Sequence, residues 1–145
     1  SMLLLVEHVN LNVASRDQAY QFYVEGLGCS AMAKRLSSGQ NIHSNAGMCQ
    51  FHTSGPEDEP YIAEEGPQIW RGEITIVYQD QFAVDAAVQR LRELQGESVL
   101  ASTKLATPPD WSPDSDQRSA LITCPNGNRF LLRAASEEEA RGLGP

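Results

Sequence analysis

The chain has 145 residues, of which 41% are hydrophobic, so it can bury a core of ordinary size. Its formal net charge of −8 argues against a nucleic-acid-binding surface, because such surfaces are basic. No apolar run approaches the ~20 residues of a membrane helix. The three cysteines are widely spaced and form no C-x-x-C pair, which favours a reducing, cytoplasmic setting over a disulfide framework.

The first element is a strand followed by a helix. Residues 6–13 alternate between apolar and polar side chains, which predicts a strand with one polar face. Ser15 and Gln18 then form a capping-box pattern, and the helical apolar stripe behind them ends at Gly26 or Gly28. The polar face of the strand carries His8, Asn10 and Asn12.

Three further strands are predicted before a linker. They cover residues 30–36, 41–45 and 48–54, and Gln50 and His52 share one face of the last. Residues 54–68 are rich in proline, glycine and acids, a composition typical of a linker.

The pattern then repeats. Shifting the sequence by 65 positions places Glu73 on His8 and Asp80 on Ser15, and a helical stripe again ends at Gly96. Strands are predicted at 98–105, 119–124 and 128–133, with an acidic loop at 107–117 that contains Trp111. The last two strands are joined by Asn126-Gly127, a strong hairpin signal.

Two consecutive βαβββ modules resemble the vicinal oxygen chelate superfamily, which includes glyoxalase I, extradiol dioxygenases and the bleomycin- and fosfomycin-resistance proteins. Three stretches carry the resemblance: residues 8–13, residues 71–77, and 124–132, which is similar to the family's terminal Asp-Pro-(Asp/Asn)-Gly-Asn hairpin. The resemblance implies an α+β fold in which the two modules form a curled mixed sheet, or cup, with helices packed outside. The expected bounds are 3–65 for the first module with its linker, 66–134 for the second, and 135–145 for a flexible tail.

In this superfamily the cup holds a divalent metal through the first and last strands of each module. By position, the resemblance implies His8, Gln50 and Glu73 as ligands, with His52 as a replacement or an addition to Gln50. These donors suit Zn²⁺, Ni²⁺, Co²⁺, Fe²⁺ or Mn²⁺. The fourth position is Leu131, where glyoxalase-like members have a glutamate that is also the catalytic base. Glu73 is therefore the candidate catalytic base.

Two functions remain open from the sequence. The favoured one is a metal-dependent lyase or isomerase of the glyoxalase type, supported by polar His8 and Glu73 at equivalent places of the two modules. The alternative is a metal-free protein that sequesters a small molecule, for which Leu131 is the supporting feature. The candidate substrate-binding residues are Asn10, Asn12, Trp111, Arg129 and Arg133. The two arginines alternate with Leu131 and could clamp an anion, or pair with nearby acids. The resemblance also implies a homodimer, and His8 and Glu73 could equally be structural or solvated residues.

Overall fold

The structure is a computed structural model that describes residues 6–33, 39, 41–96, 104–106 and 119–143; for residues 104–106 and 143 it describes the backbone alone. The first module contains β1 (His8–Asn12), α1 (Arg16–Tyr20), β2 (Ser30–Ala31), β3 (Ile42–Ala46) and β4 (Cys49–Ser54). A short helix, α2 (Ile62–Glu65), precedes the second module. That module contains β5 (Glu73–Tyr78), α3 (Gln81–Gly96), β6 (Lys104–Ala106), β7 (Ala120–Thr123) and β8 (Arg129–Ala134), and α4 (Glu137–Leu143) follows it.

The strands form two mixed four-stranded sheets. The first has the order β1-β4-β3-β2 and the second has the order β5-β8-β7-β6. In each, the first strand of the module pairs in parallel with its fourth strand, and the other pairs are antiparallel. The prediction of an α+β fold with two βαβββ modules is confirmed. The sheets are not closed into a barrel, and β1 and β5 are each an edge of their sheet.

One hydrophobic core joins the two modules. It includes Phe22 and Phe51 from the first module and Leu91 and Phe130 from the second, all at most 4% exposed. The ring centroids of Phe22 and Phe130 are 5.3 Å apart, so aromatic side chains of both modules pack directly on each other. The two modules therefore share their apolar interior.

Helix α1 ends in a widened turn. Ser15 caps its start by accepting from the backbone N–H of Gln18, as the sequence pattern predicts. The helix then continues as a π-helical turn over Gln21–Gly26, in which the N–H of Leu27 donates to the carbonyl of Phe22 at 2.8 Å. This turn leads into Gly28, whose φ of 86° is left-handed and suits glycine.

The linker and the C-terminal segment each contain a helix that their composition does not suggest. The linker contains α2, whose Ile62 is 1% exposed. The segment expected to be a flexible tail contains α4, capped by Ser136. No helix in the described part of the chain is long and apolar enough to cross a membrane.

Candidate functional site

The polar face of the first sheet collects most of the candidate residues. Register pairs His8 with Gln50 and Asn10 with His52, so these side chains point to the same side. Strand β3 adds His43 opposite His52 and Asn45 opposite Gln50. Alternation along β4 correctly predicted that Gln50 and His52 share a face, and the register with β1 places His8 on the same side. Asn12 lies on the same face at the end of β1.

The three histidines of the chain stack in a column across β1, β4 and β3. The rings of His8 and His52 lie 4.2 Å apart with a 6° angle between their planes. The ring centroids of His52 and His43 lie 3.5 Å apart, with an angle of 8° between the ring planes. His43 is only 7% exposed, whereas His8 is at the exposed end of the column. The sequence offered no strong signal for His43, because its place depends on the pairing of β3 with β4.

Hydrogen bonds fix the donors on this face. The Nε2 atom of His52 and the Oε1 atom of Gln50 are 2.8 Å apart, and Gln50 donates through Nε2 to Oδ1 of Asn45 at 2.6 Å. His8 bonds the carboxylate of Glu7 through Nδ1 at 3.1 Å. The amide oxygen of Gln50 therefore accepts a hydrogen bond from Nε2 of His52. The contact with Glu7 uses Nδ1 of His8, and Nε2 is the other nitrogen of that ring.

The second sheet carries the remaining candidates. Register places Glu73 beside Arg129 and Val77 beside Arg133 on one face of β5 and β8. Glu73 and Arg129 are exposed. Arg133 forms a bidentate ion pair with Glu139 of α4, with both N–O distances at 2.7 Å. Trp111 lies outside the described residues.

The expected metal ligands are divided between the two sheets. His8, Gln50 and His52 belong to the first sheet and Glu73 to the second, and among the described residues no strand ladder joins the sheets. Stacked imidazoles hold their lone pairs in separate parallel planes, so they do not converge on one point. In the part of the chain that the structure describes, no group of three His, Cys, Asp or Glu side chains could hold a metal ion. The ligand set that the resemblance implies also includes the amide of Gln50, so it stays a prediction.

The segment before β5 ties the sheets together. Gln68 forms two hydrogen bonds with the backbone of Asn12, at 2.8 and 2.9 Å. Asn128, 3% exposed, donates to the carbonyl of Gln68 and accepts from the N–H of Trp70. Sequence reasoning missed Gln68 and Asn128, because polar residues in loops carry no periodic signal.

A cavity of about 940 Å³ lies in the seam between the two modules. It is bounded by the β3–β4 hairpin, by the edge strand β5, and by the turn after α1. Leu27 and Phe51, at most 4% exposed, line it, so it reaches the core, and Met48 and Trp70 are exposed at its rim. The wall of the cavity also includes Val9, Cys29, Cys49, Ile74, Ile76 and Tyr78.

Two titratable side chains of the cavity wall, Cys29 and Tyr78, are uncharged at physiological pH. Burial raises the pKa of the Cys29 thiol to about 11, so this sulfur is a neutral thiol at physiological pH. Burial likewise raises the pKa of Tyr78, whose hydroxyl donates to the carbonyl of Leu27 at 2.7 Å. Val9, Ile74 and Ile76 lie on the apolar faces of β1 and β5, and alternation along a strand carries no information about a gap in their packing.

Comparison with solved structures shows the same fold. The chain is similar to FosX, the genomically encoded fosfomycin resistance protein of Listeria monocytogenes (13% identity, TM-score 0.63, 96% of this chain and 99% of that chain). It is also similar to lactoylglutathione lyase from Agrobacterium tumefaciens (18% identity, TM-score 0.60, 93% of this chain and 96% of that chain). A third similar structure is a glyoxalase/bleomycin resistance protein/dioxygenase family enzyme from Burkholderia phytofirmans PsJN (16% identity, TM-score 0.62, 90% of this chain and 98% of that chain).

No protein-family model matches the chain, and no curated protein matches it. At identities below 20%, the structural likeness establishes the fold and not the reaction.

Proposed function

We propose, starting from the vicinal oxygen chelate fold, that this protein binds a small organic molecule in the seam cavity and acts by sequestering it. The cavity itself carries the proposal. Its volume of about 940 Å³ is at the upper end of the range of small-molecule sites, roughly 300–1,000 Å³. Such sites are mainly apolar with a few polar groups, as this one is.

Filling the cavity tests the proposal. Ala83 lines it from α3, and Ala83→Trp should place an indole in the ligand volume. Ala63→Trp, at an exposed position of α2, is the matched control. The probe is phenylnaphthylamine, a neutral dye that fluoresces in apolar surroundings. We expect saturable binding by the parent protein and by Ala63→Trp, with affinity lowered at least about tenfold in Ala83→Trp.

Equal binding by all three proteins would place the dye elsewhere and would contradict the proposal. Circular dichroism and thermal melting of each variant establish that it is folded. Extraction of the purified protein into organic solvent, followed by mass spectrometry, then identifies any molecule that co-purifies with the parent protein and is lost from Ala83→Trp.

A metal-dependent lyase or isomerase is the second candidate, and the contact between Glu7 and His8 favours it. Metal-binding histidines usually donate their other ring nitrogen to a carboxylate, and His8 has this arrangement. A bound divalent ion would polarise a carbonyl and so ease proton removal beside it. Glu73, from the same chain or from a second copy, would be a further donor to this ion.

Elemental mass spectrometry of the parent protein and His8→Ala, each incubated with Ni²⁺, Co²⁺, Fe²⁺, Mn²⁺ or Zn²⁺, tests this candidate. Near-stoichiometric metal that is lost in His8→Ala would support it. Equal metal content in both proteins would contradict His8 as a ligand.

A homodimer is part of the same proposal. The edge strands β1 and β5 have no strand partner on their outer sides in the described chain, which leaves two edges for contact with a second copy. Light scattering on a gel-filtration column should give twice the mass of 15.9 kDa. A cytoplasmic location also belongs to the proposal, and it is supported by three cysteines that are free thiols.

A further inference from the structure

We infer that the seam cavity selects uncharged, mainly apolar molecules with an aromatic part, and that the ion pair between Arg133 and Glu139 keeps charged molecules out. The inference rests on the proposed function, since it names the ligand class of the same cavity. It opposes the expectation from the sequence that Arg133 would help to clamp an anion.

The aromatic preference follows from the side chains around the cavity. Phe51 and Tyr78 line its deep part, Trp70 lies at its rim, and Met48 and Cys49 add polarisable sulfur. Aromatic rings pack favourably against other rings and against sulfur. A flexible aliphatic ligand would fill the same volume without these contacts and would lose more conformational entropy.

Glu139 is the one charged side chain among the described residues that line the cavity. Its two carboxylate oxygens are held by the guanidinium of Arg133 at 2.7 Å each, and one also accepts from the N–H of Ser136 at 2.8 Å. These bonds match its charge locally and use its strongest acceptor directions. Neither member of the pair is therefore available to neutralise a charged ligand.

Arg90 is a further charged side chain close to the wall. It donates through Nε to the carbonyl of Gly26 at 3.1 Å, and its guanidinium lies near Gly28, which lines the cavity. Arg90 itself is not among the residues that line the cavity. An anion or a cation that entered would lose its hydration without gaining a partner, and this cost is large.

Two dyes with one aromatic skeleton test the inference. Phenylnaphthylamine is neutral, and anilinonaphthalene sulfonate is the same skeleton with a sulfonate. We expect the neutral dye to bind the parent protein at least about tenfold more tightly. Tighter or equal binding of the sulfonate at the site blocked by Ala83→Trp would overturn the inference.

Releasing Arg133 should change the selectivity. In Glu139→Gln the guanidinium loses its ionic partner and becomes available to the sulfonate, so the ratio of the two dissociation constants should narrow by about threefold or more. Glu138→Gln is the matched control, because it removes the same charge from an exposed position of the same helix that does not line the cavity. An equal change in both variants would show a general effect of net charge and would contradict the role of the pair.

A variant of the other partner of the ion pair distinguishes a charge effect from misfolding. Arg133→Gln leaves the carboxylate of Glu139 unpaired, so binding of the sulfonate should weaken further while Glu139→Gln strengthens it. Parallel effects of the two variants would indicate unfolding of α4 and would refute the inference. If neither dye responds to Ala83→Trp, the proposed function fails; if both do but the sulfonate binds equally well, only the ligand class fails.

Discussion

His52 occupies the centre of the histidine column and illustrates how much a single residue can be predicted. Alternation along β4 placed it correctly on the face of Gln50. Its stacking between His8 and His43 could not be predicted, because it requires β1, which is distant in sequence, to lie beside the β3–β4 hairpin in one sheet. The same limit applies to Arg133. Ser136 and Glu139 have the capping-box spacing of a helix start, but this pattern does not predict an ion pair between Glu139 and Arg133.

The thiols provide a prediction at the residue scale. Burial raises the pKa of Cys29 to about 11 and also raises the pKa of Cys124, so both remain protonated at pH 8 in the folded protein. Only the thiolate reacts readily with disulfide reagents, and Cys49 is the more accessible sulfur. We expect one thiol to react quickly with Ellman's reagent at pH 8 and the other two only on unfolding. Peptide mapping that found Cys29 modified as fast as Cys49 would contradict this account.

At the scale of elements, the two long helical segments pack closely on each other at Gly26. A Cβ atom on Gly26 would lie 2.5 Å from Cδ2 of Leu91, which is fully buried on α3. The periodic patterns predicted both helices. They did not predict the π-helical turn that carries Gly26, since its extra residue per turn leaves no distinctive composition.

Gly26→Ala should therefore destabilise the protein by about 1–3 kcal/mol, because the added methyl group forces the helices apart. Gly96→Ala is the control: nothing lies within 4 Å of its Cβ position, and alanine favours a helix. Urea unfolding measures both free energies. A Gly26→Ala variant as stable as the parent would show that the helices do not meet at this point in solution.

The cap of α4 gives a pH prediction. The bonds from Arg133 and then from Ser136 lower the pKa of Glu139 to about 2. Because the folded pKa is depressed, the stabilising contribution is present above the ordinary value, about 4.3, and is lost as the pH falls through the folded value. The carboxyl carbon resonance of Glu139 should titrate near pH 2. A midpoint at the ordinary value would mean that the ion pair does not persist in solution.

For the whole molecule, the repeat of 65 positions predicted two similar modules, and the structure confirms them. Their relation to each other was not predictable from the repeat. It depends on the hydrogen bonds of Gln68 and Asn128 and on the packing of Phe22 against Phe130, and a duplication pattern describes neither. The seam cavity results from this relation, so the sequence could not indicate it.

A shared core predicts that the modules unfold together. Amide hydrogen exchange in β1 and in β8 should report the same opening free energy under native conditions, because exposing one module strips apolar contacts from the other. The comparison within one sample is its own control. A clearly smaller opening free energy for one of the two strands would show that its module unfolds alone.

The parallel pairing of first and fourth strands has a consequence during synthesis on the ribosome. Strand β1 emerges before α1, β2 and β3, yet its partner in the sheet, β4, is translated only after them. Until then β1 is an unpaired, half-apolar strand that can associate with other nascent chains. The same delay recurs for β5, which waits for β8. Slow translation between paired strands would therefore lower the yield of folded protein, and chaperones that shield exposed strands would raise it.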